Sequence, residues 1–218
     1  MRAAIQAIIF DADGTLVDSE LAGLDVMRAV ARLHGLSLTR EYAHTHFRGV
    51  RMAHSIAWIT SQLGRTEPGF EEELTRQVRK ATEARFRQGL AALPGAHALL
   101  QGLKIPFCVA TNGPLEKVEL TLTLTKLRPF FGDRIFSAYE VGSFKPEPGL
   151  FLHAAAALGV APPHCAVVED SLPGVMAGLE AGMQVFCLHP RLGIESHIAQ
   201  RVTFIDKLAA LQDYLVPA

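Results

Sequence analysis

The stretch of sequence with the most chemical potential is Asp11-Ala12-Asp13-Gly14-Thr15-Leu16-Val17-Asp18. It follows Ile5 to Phe10, an apolar and β-branched run that reads as a strand. Two carboxylates two residues apart in extended backbone point to the same side. Like charges held that close repel, so they need a cation, a shared proton or a reaction that uses them. Gly14 lets the chain turn away from the strand. In open α/β sheets the carboxyl ends of the strands are where ligands bind. The plainer reading is an Asx-rich turn with a capping Asp. Asp18 and Ser19 read as helix N-caps.

The elements that would position these acids follow from hydrophobic patterning. Runs like the first recur at Ile105 to Ala110, Cys165 to Val168 and Gln184 to Leu188, with a weaker one at Val202 to Ile205. Strands apolar on both faces belong to a parallel sheet covered on both sides. Helical patterns at Glu147 to Leu158 and Leu172 to Ala181 alternate with them, the second closed by Gly182. The alternation predicts an α/β fold with right-handed crossovers.

It is interrupted once, because residues 11–104 hold no convincing strand. Helices are expected at Asp18 to His34, with Leu21, Leu24, Met27 and Ala31 on one face, and at Arg51 to Leu63. A longer one is expected at Phe70 to Leu90, with Phe70, Leu74, Val78 and Ala81 on its apolar side. On its other side Glu72 precedes Arg76, and Glu83 precedes Arg87, by four residues, the stabilising order on a solvated helix face. The expected organisation is a sheet domain over 1–15 and 89–218 and a helical insert over 16–88.

Composition narrows the function classes. The chain has 218 residues, 49% hydrophobic and 20% charged, enough to bury a core. Lys plus Arg number 21 and Asp plus Glu 22, a net charge of -1, which argues against nucleic-acid binding by bulk charge. Cys108, Cys165 and Cys187 are widely spaced in apolar runs and read as buried core residues of a reducing compartment. No signal or membrane-spanning pattern is present, so a cytoplasmic location is expected. His44, His46 and His54 read as exposed loop histidines rather than metal ligands, and Trp58 as helix packing.

Asp11 to Asp18 resembles the first motif of the haloacid dehalogenase superfamily, mostly phosphatases with an aspartate nucleophile. Its other motifs follow in order after later strands: Thr111-Asn112, then Lys145 in Phe144-Lys145-Pro146-Glu147-Pro148, then Glu169-Asp170-Ser171. The resemblance covers essentially the whole chain. It implies a Rossmann-like parallel-sheet core with an inserted α-helical cap. Phe47-Arg48-Gly49-Val50 resembles a cap loop of the sugar-phosphate members, the group of β-phosphoglucomutase and 6-phosphogluconate phosphatase.

The resemblance implies an Mg²⁺-dependent phosphatase acting on a small phosphorylated metabolite, a sugar phosphate or sugar-acid phosphate such as 6-phosphogluconate. Asp11 would be the nucleophile and Asp13 the general acid and base, with Lys145 neutralising charge. Asp11, Asp13 through its backbone carbonyl, and Asp170 would hold the metal, with Glu169 behind or joined through water. Thr111 and Asn112 would bind phosphate, with Pro114 in the first helical turn. Arg48 and Arg51 would read the rest of the substrate. Each residue also has a plain reading: Lys145 as a surface lysine, Thr111-Asn112 as an N-cap, Glu169-Asp170-Ser171 as an acidic helix start. The core motifs leave open a phosphomutase, and a non-catalytic binding protein on the same fold is the other alternative. No nucleic-acid or membrane partner is expected, and the chain should be a monomer or weak homodimer.

Overall fold

The computed structural model describes residues 3–48, 50–188 and 194–215. The chain divides into two compact units, Met1–Val17 with Ala91–Ala218, and Asp18–Leu90.

The first unit contains the strands β1 (Ala7–Phe10), β2 (Phe107–Thr111), β3 (Ile135–Ser137), β4 (Cys165–Glu169), β5 (Gln184–Cys187) and β6 (Val202–Phe204). They form one six-stranded sheet in the order β3-β2-β1-β4-β5-β6. Every pairing is parallel, with Ile9 opposite both Cys108 and Val167. The four residues of β1, Ala-Ile-Ile-Phe, are fully buried, as a central strand covered on both faces must be. Burying each large side chain contributes about 1.5–3 kcal/mol, which is why the most apolar runs occupy the middle of the sheet.

Alternate residues sort to one face. Ile9, Cys108, Cys165, Val167, Val185 and Cys187 share a core with the helices over that face. All three cysteines are buried and free. Burial pushes the Cys108 and Cys165 thiols up, so neither offers a reactive thiolate.

The short strand β3 was not among the expected strands. Three residues are too few for a periodic pattern, and only pairing with β2 makes them a strand, with Thr111 opposite Ser137.

The second unit is helical: α1 (Glu20–Leu33), α2 (Arg40–Phe47), α3 (Met52–Gln62) and α4 (Phe70–Arg87). Its core joins Leu24, Met27 and Ala31 of α1 to Ile56 and Ile59 of α3 and to Leu74 and Val78 of α4. Leu21, expected on the apolar face of α1, is exposed instead. Ser19 stands at the N-cap of α1, but its side chain makes no capping bond. On α4 the Glu83–Arg87 pair forms at 2.8 Å, whereas Arg76 pairs with Glu73 rather than Glu72.

Helix α2 was also unexpected. It has a Thr39 cap that accepts from the Tyr42 amide, and only Ala43 and Phe47 to bury. His44 and His46 therefore lie on a helix, not a loop, and His54 lies on α3. The His46 ring stacks on Tyr42 at 3.9 Å, and its Nδ1 donates to the Tyr42 carbonyl. Trp58 packs against the rings of Tyr42 and Phe47, as expected.

The remaining helices belong to the sheet unit: α5 (Ala96–Gly102), α6 (Leu115–Leu124), α7 (Ala138–Val141), α8 (Gly149–Leu158), α9 (Leu172–Glu180) and α10 (Ser196–Ala199). Gly178 lets α9 lie close on the sheet, because a Cβ there would fall 2.7 Å from Val185 Cγ2. Among the described residues no helix is long and apolar enough to cross a membrane.

Candidate active site

Parallel strands end at the same edge, and strand order reverses around β1, which lies between β2 and β4. That reversal opens a crevice at the carboxyl ends of the strands. Asp11 follows β1, Thr111 ends β2 and Glu169 ends β4. The Asp11 amide donates to the Val168 carbonyl at 3.0 Å, pinning the first acid to β4. The chain then folds back, with the Leu16 and Val17 amides both donating to the Ala12 carbonyl. Gly14 has φ +79°, and a Cβ on it would fall 2.2 Å from Asp170 Oδ2. Only glycine satisfies both the turn and the close approach of that carboxylate. The Thr15 hydroxyl donates to the other Asp170 oxygen at 3.3 Å.

Lys145 joins these ends. Its Nζ lies 2.5 Å from Asp11 Oδ1 and 2.6 Å from Glu169 Oε1, with 4% of the residue exposed. The reading of Lys145 as a surface lysine is therefore excluded. Burial alone would lower its pKa, but the two flanking carboxylates outweigh it and raise the value, so the ammonium stays charged. For Asp11 burial dominates and pushes the carboxyl well above the usual range. Lys145 pulls it back, while Glu169 and Asp170 push it further up.

Glu169 is fully buried and bonded through both oxygens. One oxygen accepts from Lys145, and the other from the Asp170 amide, the Ser171 amide and the Ser171 hydroxyl. Oε2 carries three of these bonds and Oε1 only one, so the lone-pair capacity left to Glu169 is on the oxygen beside Lys145. In this arrangement Glu169 anchors Lys145 and the turn into α9. Gly174 makes room for it, since a Cβ there would fall 1.8 Å from Glu169 Oε1.

Thr111 and Asn112 divide their work. The Thr111 hydroxyl accepts from the Gly113 amide at 3.0 Å, which leaves its proton for a ligand oxygen. The Asn112 side chain accepts from the Lys145 amide and donates to the Lys145 carbonyl. It is thus committed to holding the Lys145 loop, a role that residue type alone did not reveal. Neither residue caps a helix. Pro114 is the N-cap of α6 with ψ 151°, one position ahead of the expected first turn.

The side chains of Asp11, Glu169 and Asp170 converge, each offering an oxygen within 4.8 Å of the others. Three hard carboxylate donors, with a glycine clearing the space beside one of them, suit a divalent cation. The Asp13 side chain is not in that cluster; its Oδ2 lies 2.6 Å from Lys117 Nζ. Lys117 was not identified from the sequence. The available signal was a lysine in the first turn of a helix, where the dipole disfavours a cation. Arg48 and Arg51 belong to the helical unit. Arg48 Nε lies 2.8 Å from Glu20 Oε2, and Arg51 precedes α3 as its N-cap residue. Gly49, between them, lies outside the described residues.

The chain has relatives among known proteins. The haloacid dehalogenase-like hydrolase profile matches residues 5–182. The chain is 34% identical over 207 residues to a 6-phosphogluconate phosphatase of Escherichia coli, covering 90% of this chain and 92% of that protein. It is 35% identical over 188 residues to hexitol phosphatase A of the same organism, covering 84% and 83%. A crystal structure of a hydrolase from Deinococcus radiodurans with bound phosphate and sodium superposes with a TM-score of 0.74 at 30% identity, covering 99% of this chain and 100% of that one. With its acids at the carboxyl ends of β1 and β4 and its lysine between them, the chain belongs to the haloacid dehalogenase-like hydrolase family.

Proposed function

We propose that the protein is an Mg²⁺-dependent phosphatase that hydrolyses a small phosphorylated sugar or sugar acid through an aspartyl-phosphate intermediate. The observation that carries this reading is the buried Asp11 carboxylate, 2.5 Å from the Lys145 ammonium and beside two further acids. In the first step an Asp11 oxygen bonds to phosphorus while the ester oxygen leaves with a proton from Asp13. In the second, Asp13 takes a proton from water, the water oxygen bonds to phosphorus, and the Asp11–phosphorus bond breaks. The Thr111 hydroxyl donates to a phosphoryl oxygen. Lys145 offsets the negative charge on Asp11 and the phosphoryl group. Mg²⁺ held by Asp11, Asp170 and the Asp13 carbonyl would supply the charge that lets a carboxylate approach a phosphate dianion.

The named activities of the two Escherichia coli relatives support the sugar and sugar-acid class. Phosphate release should be screened across phosphorylated sugars, polyols and sugar acids. Activity should vanish in excess chelator and return with Mg²⁺, while Ca²⁺ should inhibit because its larger, looser coordination misplaces Asp11. Full activity in chelator would overturn the reading.

Recognition of the rest of the substrate is assigned to Arg48 and Arg51. A guanidinium can grip a carboxylate with two parallel hydrogen bonds. One of the variants Arg48→Ala and Arg51→Ala should lose about 10- to 100-fold in kcat/KM on a phosphorylated sugar acid, and much less on a neutral sugar phosphate. Equal losses on both would remove the carboxylate from the assignment.

A further inference from the structure

We propose that Lys117 is a positioning residue for the reaction, holding the Asp13 carboxyl at the rim of the phosphate site and out of the acidic cluster. The proposal rests on the phosphatase reading above. Lys117 lies in the first turn of α6, and its Nζ reaches Asp13 Oδ2 at 2.6 Å across 104 residues of sequence.

Stability does not account for the pair. The two side chains are 32% and 27% exposed, and a pair open to solvent is worth only about 0–1 kcal/mol. A cation at a helix N-terminus costs about 0.3–1 kcal/mol, and ordering a lysine chain costs further entropy. A residue that breaks a local rule for little gain in stability marks a functional position.

The mounting is rigid where it needs to be. Gly113, just before α6, donates to Thr111 Oγ1 and accepts from the Ser137 hydroxyl at 2.7 Å. The start of the helix is thereby tied to the ends of β2 and β3. A Cβ on Gly113 would lie 3.7 Å from both Asp13 Oδ2 and Lys117 Cδ, so the ion pair rests against nearly bare backbone. The ammonium meets the Asp13 carboxyl at Oδ2 and so bears on the rotation of that side chain.

An acid that must meet the departing ester oxygen gains from being held in place. Such proton transfer supplies about 10²–10⁴-fold in rate. The loss of Lys117 should therefore appear only where protonation of the leaving group matters. The quantity to measure is kcat/KM, which reports the steps up to the first irreversible phosphoryl transfer. The substrates are an alkyl ester, 6-phosphogluconate or glucose 6-phosphate, and p-nitrophenyl phosphate, whose leaving group needs no proton.

Lys117→Met should lose about 10- to 100-fold on the alkyl ester and little on the aryl ester. Lys117→Arg should recover most of the loss. In an Asp13→Asn background Lys117→Met should cost nothing more, because residues that act as a unit are not additive. Lys117→Gln provides a second neutral variant, with folding checked by circular dichroism. Equal losses on both esters, or additive losses with Asp13→Asn, would overturn the positioning role. Undiminished alkyl-ester turnover in Asp13→Asn alone would instead overturn the acid–base assignment on which the proposal stands.

Discussion

Asp11→Asn should leave a folded protein whose phosphatase activity is lower by about 10⁴–10⁶-fold, the scale on which a covalent nucleophile is lost. The amide keeps the size of the carboxylate but is a poor nucleophile toward phosphorus. Acid-quenched wild-type enzyme should carry covalent phosphate from labelled substrate, and the variant none. Folding should survive because Asp11 is not a stabilising charge in the metal-free protein. Burial raises its pKa above the ordinary aspartate value. A group whose pKa is raised by folding favours the native state when protonated, and that stability is lost as pH rises through the folded-state value. Metal-free wild type should lose this contribution on going from acid to neutral pH, and Asp11→Asn should not. At neutral pH without metal the variant should melt at the same temperature or higher. Wild-type turnover in Asp11→Asn would end the proposed mechanism.

Lys145→Met should damage both folding and catalysis. Methionine can fill much of the space of the lysine stem but brings no charge, leaving the buried carboxylates of Asp11, Glu169 and Asp170 against one another. Removing one partner of a buried ion pair costs about 3–5 kcal/mol. Chemical denaturation at neutral pH in chelator should show a loss of that order. The loss should shrink at low pH, where the carboxylates protonate, and shrink again with Mg²⁺, which replaces part of the missing charge. Catalysis should fall by about 10²–10³-fold even with metal present, as expected when one preorganised electrostatic group is removed from a transition state. The opposite outcome, a variant as stable as wild type at neutral pH without metal, would mean that the ion pairs of Lys145 add nothing to the fold.

Both predictions concern residues whose type and order were legible in the sequence. What the sequence could not state was the partner of each side chain. Asn112 is one case. Its position after a strand suggested phosphate binding or a cap, and nothing in that position told that its side-chain amide bonds to the backbone of Lys145, a contact between separate loops. Glu169 is another: the sequence placed it behind the metal ligands or joined through water but could not name Lys145 and the turn into α9 as its partners. Lys117 gave only a weak local signal, because its meaning lies in a carboxylate 104 residues away.

The same division runs through the fold. The sequence determined the central strands, since a run apolar on both faces can be satisfied only inside a covered sheet, as β1 and β4 are. It also determined that Asp11 and Asp13 follow such a strand, because the order of residues along a chain is local information. Tertiary structure alone decided that Ile135–Ser137 is a strand, since three residues gain that state only from the hydrogen bonds of β2. It decided that Arg40–Phe47 is a helix, where two apolar residues become an anchor only once α1 and α3 supply a core to bury them. It also brought Asp11, Lys145, Glu169 and Asp170 together, because the order β2-β1-β4 places the ends of strands far apart in sequence at one edge. Periodicity records which face of an element is buried, whereas charge pairing across loops depends on distances that only the packed sheet sets.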